Sequence, residues 1–333
     1  MSETKSNMSY KEPIILTPSF RYSFWGGDRL CEMFPNSRKT SGTSLAEVWL
    51  CSTYPENESI ADGGAYDGRS LREIIGIHPE MLGTKNDGLR DLPIMVKMID
   101  AGKALSLQVH PDDDYAEAHE EDELGKTELW YVLDAEEGSA VTHGFLHDSS
   151  REEAERWILE GSLGKHLRIV PVKKGDVVLV DAGTVHGINA GPVIVEVQER
   201  SDITYRIWDY DRTDEFGNKR ELHLSKALDV MNYKKGRDIR RPIRQLSFYP
   251  GGSTELLGRC RYFDLHRLAV NDSVIRHGSG ESSFEILICI DGQAEIKWAG
   301  SGRPIKTGTC VFVPAGSVEF EIEGSAVFLK VES

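Results

Sequence analysis

The sequence predicts a mainly β protein with two jelly-roll β-barrel domains and a few short helices. Short apolar or alternating segments, interrupted by Gly, Asp and Pro, follow one another along most of the 333 residues, a pattern typical of jelly rolls and small barrels. The segment GDVVLVDAGTVHGI at 175–188 also returns as GTCVFVPAGSVEFEI at 308–322. A repeated frame of this kind indicates two copies of one β domain.

Most of the predicted elements are short strands. Apolar runs of strand length include LPIMVKMID, LSLQVHP, ELWYVLD and VIVEVQE in the first part of the chain, and FEILICI, QAEIKWA and AVFLKV in the second. Apolar residues recur at helical spacing in 70–82, 149–161 and 224–233, and Ser150 followed by Glu153 gives the second of these segments a capping box. The sequence therefore predicts three helices among many strands.

Composition and charge limit the function classes. The formal net charge of −15 opposes binding to nucleic-acid backbones and anionic membrane surfaces. No apolar run reaches the roughly 18–20 residues of a membrane span, the N-terminus MSETKSNMSYKEP is not a secretory signal, and the five cysteines lack metal or disulfide spacing. We therefore expect a cytoplasmic protein without nucleic-acid or membrane partners. The sequence leaves the oligomeric state open.

The repeated frame predicts a strand, a tight turn and a second strand. In the first copy VVLV is a buried strand, Gly183 supplies a permissive backbone in the turn, and His186 begins the next strand. The pattern G-x5-P-x-G-x2-H resembles the second motif of the cupin superfamily, with Asp181 in place of Pro. The resemblance implies that both jelly rolls are cupin domains, whose interior can hold one metal and one small ligand.

Four polar residues on inward-facing strand positions form a candidate metal site. Side chains alternate along a strand, so Gln108 and His110 share one face of LSLQVHP. Glu128 opens the apolar strand ELWYVL, where an unsatisfied carboxylate is costly. With His186 these residues give a two-His, one-carboxylate set and an amide as fourth candidate, which suits a catalytic Zn²⁺ ion. The alternative for each residue alone is a core histidine or a Glu128–Lys126 ion pair.

Several segments extend the resemblance over nearly the whole chain. They are similar to the type I mannose-6-phosphate isomerase family, in the order and spacing of its compact bacterial form, which lacks the large helical insertion of longer relatives. The segments are MVKMIDAGKALSLQVHPDD at 95–113, GKTELWYVL at 125–133, AGTVHGI at 182–188 and YRIWDYDR at 205–212, with FWGGDRL and LAEVWLCS nearer the N-terminus.

The resemblance implies an activity and a role for each matched residue. The implied reaction interconverts mannose 6-phosphate and fructose 6-phosphate through a cis-enediolate, with one zinc ion per chain. The catalytic arginine of the family falls on Arg206, and active-site lysines fall on Lys126 and Lys97. The zinc ligands of the family fall on Gln108, His110, Glu128 and His186.

The chain is predicted to divide at the basic segment KKGRDIRRPIR, residues 234–244. A length of 333 residues exceeds that of the usual single domain, and such a charged segment is more typical of a solvated linker than of a binding patch. We predict a catalytic, metal-binding cupin domain at 1–235 and a second cupin-like domain without metal ligands at 236–333.

The second copy of the frame lacks the histidine of the first. Glu319 stands where His186 stands in the first copy, and Glu285 opens FEILICI as Glu128 opens ELWYVL, whereas His277 lies too far back to match a ligand. Two carboxylates without an imidazole make a poor zinc site. We expect the second domain to be a structural partner; a hard-metal or regulatory site on its two carboxylates is the alternative.

Two other functions are compatible with parts of the pattern. His110, Asp112 and His186 also match the facial triad of a non-haem iron oxygenase, although Pro111 would disturb the strand that must aim Asp112 inward. A sugar-phosphate sensor would keep the same pocket without turnover. Retention of the candidate catalytic cations beside a complete metal set disfavours the sensor.

Overall fold

The computed structural model describes residues 9–37, 43–213, 217–238 and 245–333. Within these ranges the chain forms twenty strands. In chain order they are β1 (Ile14–Thr17), β2 (Ser19–Ser23), β3 (Ser44–Cys51), β4 (Ile60–Ala61), β5 (Ile94–Asp100), β6 (Leu107–Val109), β7 (Glu128–Ala135), β8 (Ala140–Phe145), β9 (Leu167–Pro171), β10 (Val177–Val180), β11 (His186–Ile188), β12 (Pro192–Glu199), β13 (Tyr205–Trp208), β14 (Gln245–Tyr249), β15 (Gly252–Arg259), β16 (Asp264–His277), β17 (Glu285–Trp298), β18 (Ser301–Lys306), β19 (Cys310–Val313) and β20 (Phe320–Glu332).

The helices of the described residues are short. All three predicted helices are confirmed, and Ser150 and Glu153 form the predicted capping box. Two further helices, α1 and α3, were not predicted, because α1 has only five residues and the acidic segment of α3 shows little apolar periodicity. None of the described helices is long and apolar enough to span a membrane. The helices are α1 (Arg29–Met33), α2 (Leu71–Ile77), α3 (Asp113–His119), α4 (Arg151–Leu159) and α5 (Leu224–Val230).

The strands pair into three antiparallel sheets. One sheet has the order β10-β7-β12-β5-β3-β2, and a second has the order β13-β6-β11-β8-β9. Apolar side chains from both sheets form one buried cluster that includes Ile99, Trp130, Val141, Val178 and Ile188. These two sheets therefore pack face to face as the first jelly roll, and the candidate site residues project into the space between them.

The alternation along β7 shows how the sequence positions this interior. Trp130 and Val132 join the cluster inside the first jelly roll, whereas Leu129 and Tyr131 join a different cluster that reaches the C-terminal part of the chain, including Ile286. Side chains two residues apart share a face of a strand. Glu128, two positions before Trp130, is therefore on the interior face, as predicted.

The third sheet builds the second jelly roll and also contains two N-terminal strands. Its order is β14-β15-β16-β20-β17-β19-β1-β4, with β18 paired to β17, and Ile15 of β1 lies opposite Val311 of β19. FEILICI and QAEIKWA, predicted as separate strands, are one strand, β17. The mainly β fold with two cupin units is confirmed, with open sheets in place of closed barrels. The boundary between residues 235 and 236 stays a prediction. The pairing of β1 with β19 shows that N-terminal strands also contribute to the sheet of the second unit.

Candidate active site

The first copy of the repeated frame forms the predicted strand, turn and strand. β10 ends before the turn, Gly183 has a φ of +81°, and His186 begins β11. A Cβ at Gly183 would lie 2.8 Å from the carbonyl oxygen of Val230, so only glycine suits both the conformation and the space. The Gly183 N–H donates to the His110 carbonyl oxygen at 2.8 Å. The turn therefore joins the chain segments that carry two of the candidate ligands.

His110, Glu128 and His186 converge in the interior of the first jelly roll. One donor atom from each residue lies within 4.8 Å of the others. His186 Nε2 is 3.3 Å from Glu128 Oε1, and His110 Nε2 is 3.6 Å from Glu128 Oε2. His110 Nε2 and both Glu128 oxygens are buried and have no hydrogen-bond partner among the described residues. Unpaired buried polar atoms are costly, so the arrangement fits a bound cation.

Both imidazoles are held in the neutral state that a metal ligand requires. Burial lowers the pKa of His186 to about 3, and burial, together with the charge of Lys126, holds the pKa of His110 well below its usual value. The Nδ1–H of His186 donates to the Thr184 carbonyl oxygen at 2.8 Å. This hydrogen bond fixes the tautomer and leaves the Nε2 lone pair directed at the centre.

Gln108 lies at the edge of the same centre. It is opposite His186 in the register of β6 and β11, and its Nε2 is 3.3 Å from His186 Nε2. Its Oε1 accepts a hydrogen bond from Ser106 Oγ at 3.3 Å. Since a hydroxyl both donates and accepts, the opposite amide orientation would keep the Ser106 contact and present the oxygen to the centre.

A cavity of about 400 Å³ adjoins His186 and Gln108, a volume typical of small-molecule sites. Its walls carry five cationic and three acidic side chains, and its apolar wall includes Trp25, Ile99 and Ile188. An excess of cations in a chain of net charge −15 favours an anionic ligand. The charged residues of the wall are Arg21, Glu47, Lys97, Lys126, Glu196, Asp202, Arg206 and Arg220.

The two predicted lysines are buried in this wall. Lys126 Nζ is 3.4 Å from Glu128 Oε2, and Lys97 Nζ is 3.5 Å from Asp202 Oδ1 and 4.1 Å from the ring centroid of Trp49. Burial lowers the pKa of Lys126, but the charges of Glu128 and other nearby carboxylates outweigh it and raise the pKa above its usual value. Both lysines thus line the cavity, and Lys126 also contacts Glu128 of the donor set.

Arg206 lines the cavity from β13. It is opposite Gln108 in the register with β6, its Nη1 donates to the Glu221 carbonyl oxygen at 2.9 Å, and its Nε is buried without a hydrogen-bond partner among the described residues. Burial and the charge of Arg220 lower the pKa of Arg206. A guanidinium with a free N–H next to a cavity is suited to bind an anionic oxygen.

Five charged residues of the wall were not predicted, namely Arg21, Glu47, Glu196, Asp202 and Arg220. The Trp130 Nε1–H donates to Glu196 Oε1 at 2.8 Å, and Arg21 lies over the Trp49 ring at 4.4 Å with Nη1 3.2 Å from Asp202 Oδ2. Glu196 interrupts the apolar run VIVEVQE just as Glu128 interrupts its own strand, so the same argument could have found it. Arg21 and Asp202 carry no comparable sequence signal.

The facial-triad alternative does not fit this geometry. Asp112 is exposed and caps helix α3, where its side chain accepts a hydrogen bond from the Tyr115 N–H at 3.0 Å. Its carboxylate therefore satisfies a helix terminus, and Glu128 takes the carboxylate position between His110 and His186.

The second copy of the frame does not assemble a matching donor set. Glu285 is buried and contacts His277 Nε2 at 2.5 Å and Lys330 Nζ at 3.4 Å, whereas Glu319 is exposed and lies 3.8 Å from Arg276. His277, which was expected to lie too far back in the chain to match a ligand, is beside Glu285, because β16 runs to residue 277. Glu285 is thus neutralised by side chains and does not meet Glu319.

One other group of metal-binding residue types occurs among the described residues. Asp264, His266 and Glu332 lie within 4.8 Å of one another on a partly exposed surface. Arg259 Nε donates to Asp264 at 2.6 Å, and Lys330 is paired with Glu332. Since both carboxylates already have cationic partners, this group lacks the unpaired donors of the interior site.

The sequence of the chain matches known protein families. Residues 14–152 match the family described as phosphomannose isomerase type I, catalytic domain, and residues 253–332 match the mannose-6-phosphate isomerase cupin domain. The chain is 33% identical to mannose-6-phosphate isomerase ManA of Bacillus subtilis over 318 residues, which cover 95% of this chain and 97% of that protein. It is 32% identical to a mannose-6-phosphate isomerase of Streptococcus mutans, over 97% of this chain and 98% of that protein.

Solved structures lead to the same family. The crystal structure of the Bacillus subtilis mannose 6-phosphate isomerase matches with a TM-score of 0.88 at 31% identity, over 96% of this chain and 99% of that chain. A mutant phosphomannose isomerase from Salmonella typhimurium shares the fold, with a TM-score of 0.75 at 15% identity over 97% of this chain and 99% of that chain. The chain therefore belongs to the type I mannose-6-phosphate isomerase family of aldose–ketose isomerases.

Proposed function

We propose that this chain interconverts mannose 6-phosphate and fructose 6-phosphate, with one zinc ion bound per chain by His110, Glu128 and His186. The observation that carries the proposal is the buried donor set beside a cationic cavity of about 400 Å³, in which His110 Nε2 and both Glu128 oxygens have no hydrogen-bond partner among the described residues. The relatives that cover nearly the whole chain bear the name of this activity, which supports the choice of substrate.

The donor set fits zinc by its chemistry. Two neutral imidazole nitrogens and one carboxylate leave a position open for water or substrate, as in catalytic zinc sites. Gln108 is the fourth candidate ligand. When bound, the ion supplies Lewis-acid stabilisation of negative charge on the sugar oxygens. Thr184 and the Gly183 turn serve this site by fixing the ring of His186 and the backbone of His110.

The side chains of the cavity wall supply positive charge for the reaction. The open-chain sugar loses a proton at C2 and gains one at C1 through a cis-enediolate, whose negative charge is the main obstacle to the reaction. Arg206 provides a permanent, planar positive charge for this species or for the phosphate. Lys97 and Lys126, both buried in the wall, add fixed positive charge close to the reacting carbons.

An assay of the purified protein tests this function. Mannose 6-phosphate should be converted to fructose 6-phosphate. Unphosphorylated mannose should react far more slowly, because it lacks the phosphate dianion that the cationic side chains of the cavity would bind. Glucose 6-phosphate, which differs at C2, tests the strictness of the site. Saturable binding of mannose 6-phosphate without any turnover would contradict the proposal and favour a sugar-phosphate sensor.

A further inference from the structure

Tyr262 reaches from the C-terminal unit to the segment that follows His110. It lies in a turn closed by the Cys260 N–H and the Phe263 carbonyl oxygen at 3.0 Å. Its hydroxyl donates to Asp113 Oδ2 at 2.8 Å. Asp113 is the first residue of α3 and comes three residues after His110 in the chain, so the second unit contacts the end of the loop that carries a candidate ligand.

The other oxygen of Asp113 binds the segment that leads to Glu128. Asp113 Oδ1 accepts a hydrogen bond from the Gly125 N–H at 3.1 Å, and the Lys126 N–H donates to the Pro111 carbonyl oxygen at 2.9 Å. A Cβ at Gly125 would lie 2.5 Å from the Asp113 nitrogen, so the two segments are in direct backbone contact. Asp113 thus couples the His110 loop to the start of β7.

Glu199 completes the same cluster from β12. It is buried, its Oε2 accepts a hydrogen bond from the Thr127 N–H at 2.7 Å, and its N–H donates to the Thr127 carbonyl oxygen at 3.2 Å. The carboxyl of Glu199 is also hydrogen-bonded to Asp113. Two carboxyl groups in contact require a shared proton, and Arg261 is the nearby cation. Each backbone N–H of residues 125–127 therefore donates a hydrogen bond to another segment of the chain.

We propose that Tyr262 is a positioning residue for the metal centre, acting through Asp113 on the segments that carry His110 and Glu128. This inference rests on the metal site of the proposed function. Tyr262 is absent from the walls of the cavity, so it has no direct contact with substrate there. Residues that orient metal ligands in this way affect metal affinity as well as turnover. In this proposal the second unit supports the metal site of the first unit through Tyr262.

Substitution Tyr262→Phe tests this role, because it removes one hydroxyl and keeps the ring. We expect the affinity of the metal-stripped protein for Zn²⁺, measured against a chromophoric chelator, to fall on the order of 10-fold. The kcat should fall by a similar factor while KM for mannose 6-phosphate changes less than about two-fold. Tyr249→Phe is the matched control, because the hydrogen bond of the Tyr249 hydroxyl among the described residues goes to the Ser253 carbonyl oxygen of its own unit.

A double-mutant cycle with Asp113→Ala distinguishes positioning from general stability. Since Tyr262 acts through Asp113, Tyr262→Phe should cost little further Zn²⁺ affinity in the Asp113→Ala background. An equal loss in both backgrounds, or a lower melting temperature with unchanged Zn²⁺ affinity, would overturn the inference. If the parent protein binds no Zn²⁺, the proposed metal site itself is wrong; if the parent binds and Tyr262→Phe binds equally well, only the positioning role is wrong.

Discussion

Arg206 lines the cavity outside the donor set, and it combines a permanent charge with a buried Nε–H that has no hydrogen-bond partner among the described residues. Arg206→Ala should therefore keep its metal and lose kcat by on the order of 10²-fold or more, as expected when transition-state charge stabilisation is removed. Arg206→Lys should restore little activity, because an ammonium does not replace the planar fork. Steady-state kinetics and metal analysis check both variants. A rise in KM alone would make Arg206 a phosphate-binding residue.

Glu199 gives the stability of the protein a specific pH dependence. Burial, together with the charge of Asp113, raises its pKa from 4.5 to about 8. A carboxyl with a raised pKa in the folded state contributes stability that is complete below about 4.5 and is lost as the pH rises through about 8. Because glutamine cannot ionise, Glu199→Gln should lose less stability than the parent between these limits. Urea unfolding at a series of pH values measures the difference, and parallel curves would contradict it.

At the scale of elements, strand alternation accounts for most of the site that could be predicted. A period of two residues placed His110 and Glu128 on inward faces, and the Gly183 turn placed His186 at the start of a strand. Arg21 could not be found this way, because it reaches the cavity by stacking on Trp49 of another strand. This contact depends on the pairing of β2 with β3, which the alternation of side chains within one strand does not specify.

The fold was predictable to a similar degree. Strand positions and the helices within 70–82, 149–161 and 224–233 followed from apolar periodicity. The pairing of β1 with β19 did not, because no local pattern specifies a partner some 300 residues away. The break predicted inside β17 also failed. Asp291 and Gly292 interrupt the apolar pattern, but they follow a register shift between Cys289 and Asp291 within one continuous strand, because a bulge accommodates the interruption.

The conformation of Gly183 in the turn between β10 and β11 can be tested by substitution. Gly183→Ala places a Cβ in the left-handed region and against the Val230 carbonyl oxygen, so we expect about 1–3 kcal/mol of destabilisation and weaker metal binding. Gly175→Ala is the control, because Gly175 has a φ of +88° and no atom within 4 Å of the added Cβ. It should lose stability through backbone strain and keep its metal affinity. Equal metal affinity in the two variants would show that the turn does not orient His186.

For the whole molecule, the two copies of the frame have different uses. The first copy contributes His186 to the donor set, and the second places Glu319 on the surface while His277 and Lys330 neutralise Glu285. Glu319→Gln should therefore leave kcat, KM and a metal content of about one ion per chain unchanged, with a stability change within about 0.5 kcal/mol. Two metal ions per parent chain, falling to one in Glu319→Gln, would show that the second copy retains a site.

The interior donor set is proposed to bind one metal ion on which activity depends. Elemental analysis of the purified protein, with isomerase assays before chelation, after chelation and after zinc is restored, tests it most directly. We expect about one zinc per chain, loss of nearly all activity on chelation and recovery on reloading. His186→Ala, like His110→Ala and Glu128→Ala, should fold yet lack both metal and activity. Full metal occupancy with normal turnover in His186→Ala, or full activity of the metal-free protein, would contradict the account.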